Sequence, residues 1–318
     1  MKTLLVLSLI SISFAGSAQQ YNVALLPDSL RENANAVKRL EEIKVTIKSP
    51  GRALVRRKYA ITILNEAGED HNTYFNTYDK FESLFDITGT LYDAYGKELK
   101  SVKKKDLEDR AYTSEVSLVE DSRYKAHNFY YKLYPYTIEY EDEKEIEGLF
   151  YLPSWTPVDD YKFSVQLSRF TVEVPAGYRL RYKQLNYAGV PQLTEGKTKL
   201  YTWELKNLKA IEQEPLSPSP EMFQPMVFLG PSDFEIAGYK GNMESWESLG
   251  KFISTLNAGR DALPDNIKAD VHQLTDGLAS VHDKVKALYE YLQKNTRYIS
   301  IQLGIGGWQP FDAKYVAT

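Results

Sequence analysis

Between residues 19 and 210 the apolar positions recur with a period of two. Ile43, Val45 and Ile47 alternate with polar residues, as do Ala53, Val55, Tyr59, Ile61 and Ile63. The pattern returns at Phe85, Ile87 and Leu91, at Tyr134, Tyr136, Ile138 and Tyr140, at Tyr161, Phe163, Val165 and Leu167, and at Tyr201, Trp203 and Leu205. Such one-sided alternation predicts antiparallel strands with one buried and one solvated face. Turn sequences separate the runs: Asn65-Glu66-Ala67-Gly68, Asp93-Ala94-Tyr95-Gly96, Pro175-Ala176-Gly177 and Glu195-Gly196. A short helix is predicted at Pro27-Asp28-Ser29-Leu30, capped by Asp28 or Ser29. Strands at this spacing predict a large antiparallel β-sandwich over residues 19–214.

Prolines then crowd one segment, at 215, 218, 220, 225 and 231. Proline lacks the amide donor and fixes its own backbone, so residues 215–242 are expected to form a linker. Beyond it the period becomes 3.6. Trp246, Leu249, Phe252, Ile253 and Leu256 predict an amphipathic helix ended by Asn257-Ala258-Gly259. Leu274, Leu278, Val281, Val285, Leu288 and Leu292 predict one longer helix, its apolar stripe in a core, ending near Asn295. Arg297 to Leu303 read as a strand. The expected class is α+β, with a mainly helical second domain over residues 243–318.

Composition changes this picture at the front of the chain. Lys2, the apolar run Leu4 to Phe14 and the small residues Ala15-Gly16-Ser17-Ala18 have the form of a secretory signal peptide over residues 1–18. The run is too short for a bilayer span of about 20 residues. The expected location is therefore periplasmic or extracellular. The chain has no cysteine, which excludes a disulfide framework, a lipid-modified cysteine, thiolate metal sites and a cysteine nucleophile within these residues. The formal net charge of -4 becomes about -5 once Lys2 is removed, with both signs interspersed. That balance argues against nucleic acid as a partner.

Candidate chemistry is sparse. Gly304-Ile305-Gly306-Gly307 has the glycines of a phosphate cradle, but Trp308-Gln309-Pro310 follows where a helix should open, so a tight turn is the better reading. His272 and His282 lie ten residues apart, about 15 Å along a helix, too far to share a metal. The acidic run from Glu139 to Glu147 lacks the glycine bends of a calcium loop and is expected to be an exposed strand edge. No Gly-x-Ser-x-Gly elbow is present. No metal or cofactor is expected. The tyrosine-rich stretch is the one binding candidate. Phe129, Tyr131, Tyr134 and Tyr136 could form an exposed row that grips a glycan or an extended peptide, or they could fill a sandwich core.

The end of the chain carries a resemblance. "NTRYISIQLGIGGWQPFDAKYVAT", with Arg297, Tyr298, Gly304, Gly306, Gly307, Trp308, Gln309 and Pro310, resembles the approach to transglutaminase-like domains of secreted bacterial proteins. "FTVEVPAGYRLRY" and "YTWELKNLKAIEQEP", with Ile63-Leu64-Asn65-Glu66-Ala67-Gly68, resemble a domain of unknown function that commonly precedes such domains. In that family the Gly-Ile-Gly-Gly segment leads to a helix that opens Gly-Asp-Cys, and the cysteine acts with a later histidine and aspartate. The resemblance implies that these residues are the front of a longer cysteine peptidase or acyltransferase acting on peptide or protein amides. The residues given stop at Thr318, before any such cysteine, and are expected to have no acyl-transfer activity themselves. The alternative expectation is a stand-alone envelope module that binds glycan or peptide through its tyrosines.

Overall fold

The computed structural model describes residues 20–112, 119–219 and 222–317. The expected export segment, residues 1–18, lies outside them. In chain order the elements are α1 (Asp28–Arg31), β1 (Ala36–Ser49), β2 (Arg52–Ile63), β3 (Thr73–Tyr78), β4 (Glu82–Tyr92), β5 (Glu98–Lys103), β6 (Glu108–Ala111), β7 (Val119–Glu120), β8 (Arg123–Asn128) and β9 (Tyr136–Glu147). They continue with β10 (Phe163–Pro175), β11 (Arg181–Leu185), β12 (Gln192–Glu195), β13 (Thr198–Leu208), β14 (Met226–Gly230), β15 (Asp233–Ile236) and β16 (Tyr239–Asn242). The last are α2 (Trp246–Asn257), α3 (Asp265–Thr275), α4 (Val281–Asn295), β17 (Ile301–Gln302) and α5 (Ala313–Val316). The protein is α+β: a large, mostly antiparallel sheet followed by a helical C-terminal part.

Eight strands form the main sheet in the order β12-β13-β10-β1-β2-β9-β4-β5. Its pairings are antiparallel except at the centre, where β1 runs parallel to β10. The period-two pattern explains its faces. On β2, Tyr59, Ile61 and Ile63 enter one core, and Ala53, in the same phase, enters another. On β9, Tyr136, Ile138 and Tyr140 belong to the first core and Ile146 to the second. Strand alternation therefore puts both cores side by side on one face. The small sheet β3-β8-β6 covers the first through Tyr74 and Phe129. Trp155, β14, β15 and α2 cover the second through Trp155, Val227, Phe234, Phe252 and Leu256.

The opposite face is charged and solvated over much of β2 and β9, while Val23, Leu26, Leu30 and Ala34 cover it at Val37 in a third buried cluster. Arg52 meets Glu145 at 2.6 Å, Lys58 meets Glu139 at 3.4 Å, and Arg56 pairs with Glu143. This corrects the reading of the acidic run as an edge. β9 lies between β2 and β4, and its carboxylates are balanced by basic residues on β2. One member, Asp142, turns to the covered face and binds Arg57 at 2.7 Å while 2% exposed. A sequence of alternating charge cannot distinguish an outer strand from an inner one whose neighbour carries the opposite charges.

Between the two cores runs a buried polar seam. Lys38 is 2% exposed and donates to Glu41 (2.9 Å), the Pro157 carbonyl (2.9 Å) and Asp159 (3.1 Å). Trp155 donates its indole N–H to Ser168 Oγ at 2.8 Å, and Ser168 donates to Glu41. Burial disfavours the Lys38 ammonium, but Glu41 and Asp159 outweigh that penalty and hold its pKa above the ordinary value.

Residues 226–242, inside the proline-rich stretch, supply β14, which pairs with β11, and the hairpin β15–β16. α2 begins and ends where its pattern predicts, with Ser245 Oγ accepting from the Ser248 amide. Its Phe252 and Leu256 are buried. The single long helix expected after it is two helices, α3 and α4, separated at Asp276–Ser280. Gly277 falls in this break, and Ser280 starts α4 by accepting from the Asp283 amide. The predicted core stripe is largely uncovered among the described residues. Val281, Val285 and Leu292 are 78%, 61% and 52% exposed.

Candidate functional site

The glycine turn near the end of the chain is seated on the β layer. Only Ile301–Gln302 of the expected strand is regular, and it pairs parallel with Val119–Glu120. Gly304 has φ +53, a left-handed conformation that suits glycine, and its amide donates to Asp121 Oδ2 at 3.2 Å. The turn then closes on itself. The amides of Gly306, Trp308 and Gln309 donate to the carbonyls of Leu303, Ile305 and Ile305 at 2.9, 2.9 and 3.0 Å. Those three amides are thus committed within the turn.

Trp308 and Gln309 anchor the turn. The Trp308 ring lies 4.4 Å from that of Phe150 and 6.0 Å from that of Tyr151. Gln309 Nε2 donates to Tyr239 Oη at 3.0 Å and to the Leu256 carbonyl at 3.1 Å, which ties the turn to β16 and α2. The Pro310 carbonyl accepts from Arg260 Nη1 at 2.9 Å. Arg297 and Tyr298 are exposed and stand apart from this anchorage. A cleft of about 230 Å³ opens beside the turn, lined by Asp79, Glu82, Asp121 and Glu147 together with Phe150, Tyr151 and Trp308. Glu82 is paired with Lys144 at 2.6 Å, and Asp79 accepts from the amides of Phe81 and Glu82 at 2.7 and 3.0 Å. The cleft holds carboxylates and rings. Ser122 also lines it.

The tyrosine candidates are placed differently from an exposed row. Phe129 and Tyr136 are 8% and 1% exposed in the first core. Tyr131 and Tyr134 are half-buried against it, their rings 5.3 and 5.7 Å from that of Tyr136. All four pack in or against the first core. The exposed aromatic group lies on the outer face of the small sheet instead. Phe75 and Tyr124 meet at 5.0 Å, and Tyr112 lies 6.4 Å from each. Sequence reasoning missed it because the three rings come from separated segments and join only through the β3–β8–β6 register. His272 and His282 sit exposed on α3 and α4, beside Asp276 (3.1 Å) and Asp283 (3.5 Å).

Residues 49–212, from the end of β1 to just past β13, match the family described as a domain of unknown function with a solved structure, DUF3857. The chain belongs to that family. The DUF3857 region thus contains most of the main sheet and the small sheet that covers its first core. Among solved structures, the chain is similar to a "putative protease" from Parabacteroides distasonis ATCC 8503, with a TM-score of 0.62 and 17% identity over 89% of this chain. At that identity the likeness is one of fold. The chain spans 55% of that neighbour's length. A variant of an M1 zinc metallopeptidase from Deinococcus radiodurans matches at a TM-score of 0.30 and 10% identity, covering 76% of this chain and 52% of that one, too low to carry an argument. No curated protein matches the chain.

Proposed function

We propose that this DUF3857 chain is the exported, non-catalytic front portion of a transglutaminase-like protein whose complete form acts on peptide or protein amides. Its β layer would serve as the platform that sets the Gly304–Pro310 turn, the segment that precedes the nucleophile helix in the resembled family. The observation that carries this reading is the seating of Trp308 on Phe150 and of Gln309 on Tyr239 and Leu256. The uncovered stripe of α4 also fits a helix that packs against further protein. The neighbour in fold, described as a "putative protease", fits a peptide-related role. In this reading the present residues supply positioning, and a cysteine thiolate at the following helix would supply the attack on the carbonyl.

The test is to determine the natural reading frame beyond Thr318 and to assay the complete product on peptide amides. A stop codon there, or continuation without a cysteine at a helix start, overturns the proposal. If the frame continues as expected, Trp308→Ala should lower kcat on a peptide amide about tenfold or more through misplacement of the nucleophile helix.

A second reading, a stand-alone envelope module that binds glycan, is favoured by one observation, the exposed Phe75–Tyr112–Tyr124 group. Rings displayed on a flat sheet can stack on sugar faces. It predicts that Tyr124→Ala abolishes retention on a glycan array with no change in thermal midpoint.

A further inference from the structure

β3 is an edge strand of unusual character. It is the outer member of the small sheet, and among the described residues it pairs only with β8. In an antiparallel pair, alternate residues turn their N–H and C=O groups away from the partner. Among the described residues, no other main-chain group takes up those of Thr73–Tyr78. Folded proteins usually protect such an edge with charge, proline or a bulge. The opposite edge of the same sheet, β6, reads Glu-Asp-Arg-Ala, and the main-sheet edge β5 carries Glu98, Lys100 and Lys103. β3 reads Thr-Tyr-Phe-Asn-Thr-Tyr, with no charge and no proline and with residues that favour strands.

Beside this edge opens a cleft of about 250 Å³. Thr73 and Phe75 of β3 line it, with Arg57, Tyr59 and Ile61 of β2, His71, and Lys38, Glu41, Asp70 and Asp159. Lys38, Glu41, Arg57 and Asp159 at its base are already paired. Lys38 uses all three protons on Glu41, Asp159 and Pro157, and Arg57 is bound to Asp142. A small ion would have to displace those contacts. A main chain lying along β3 would not, because the strand's own outward groups would bind it.

We propose that β3 accepts an uncharged, extended peptide segment as a fourth strand of the small sheet, with alternate side chains entering the cleft that Arg57, Tyr59, Ile61 and His71 line beside it. Main-chain hydrogen bonds would supply the affinity and the cleft the side-chain preference. The inference stands apart from the acyl-transfer reading, since it concerns residues 73–78 of the chain as given.

The test uses the whole chain and the capped heptapeptide Ser-Val-Thr-Val-Thr-Val-Ser. Binding should slow amide hydrogen exchange across Thr73–Tyr78. N-methylation of alternate peptide residues in one register should weaken binding about tenfold or more, and N-methylation in the other register should have less effect. Phe75→Lys, a change at an exposed position, should weaken binding while the thermal midpoint holds. Thr77→Lys is a second variant with the same expectation. The proposal is overturned by absence of binding at millimolar peptide, by equal tolerance of both methylated registers, or by protection outside β3. Concentration-dependent protection of β3 without peptide would also overturn it, since the edge would then serve pairing between two copies of this chain.

Discussion

Lys38 and Glu41 are buried on the covered face, at the base of the cleft beside β3. Breaking a buried ion pair from one side leaves a charge without compensation, at a cost of about 3–5 kcal/mol. Glu41→Leu should therefore lower the urea midpoint severely, because Lys38 stays buried and Ser168 also loses its acceptor. Replacing both members, as Lys38→Met with Glu41→Leu, should recover part of the loss. Additive losses in that double-mutant cycle would show that the pair is not coupled. His71 gives a pH prediction. Its ring lies 4.5 Å from Phe163, and burial holds its pKa below the ordinary value, opposed by Asp159, Asp160 and Asp70. A depressed folded-state pKa means that the unfolded chain takes up the proton first. The contribution of His71 is thus complete above its unfolded pKa of about 6.5 and fades as pH falls through the folded value. His71→Gln should flatten the decline of the thermal midpoint between pH 7 and 5. None of this was legible in the sequence. In Ala36-Val37-Lys38-Arg39-Leu40-Glu41 nothing marks the three charged residues as buried, and only the shift in register between Lys38 and Leu40 and the surrounding segments enclose them.

α2 and α4 have similar sequence patterns and different surroundings. Phe252 of α2 packs on Phe150 and Phe234, at ring distances of 5.8 and 4.8 Å. Phe252→Ala should cost about 3–5 kcal/mol in urea unfolding. Val285→Ser on α4 should change the same midpoint by no more than about 0.5 kcal/mol, since its side chain already meets water. A large loss there would mean that α4 is covered in solution. Gly241 tests the seat of α2 from the other side. A Cβ there would come within 2.2 Å of the Phe234 ring and 2.8 Å of the Phe252 ring, so Gly241→Ala should cost about 1–3 kcal/mol by overpacking. The bounds of α2 were readable because a serine cap, a 3.6 period and a glycine stop agree. The break between α3 and α4 was not, because the leucine and valine spacing runs on across it. Whether a stripe is covered depends on what packs there, and periodicity carries no information on that.

For the whole molecule, the alternation on β1, β2, β9 and β10 correctly indicated a large sheet, and it did not show that residues near the start of the chain cover part of its second face. It could not indicate that one face carries two cores, nor that β1 is flanked by β10 in parallel. That central pairing joins residues 127 positions apart, as Glu41 and Ser168 show, and so bears on how the chain reaches its native state. The β1–β2 hairpin can close locally. The other flank of β1 has to wait for β10, and β13 in turn follows β10. Folds dominated by such distant closures assemble in milliseconds to seconds, slowly for their stability. Refolding after dilution from urea should show sheet formation on that slow scale, with the intermediate prone to self-association. During synthesis, a nascent chain that has emerged only as far as β9 holds five of the eight strands with one flank of β1 open, a state that a holding chaperone would recognise. A fragment ending at residue 160 should accordingly be found in the pellet, while the full chain stays in the supernatant.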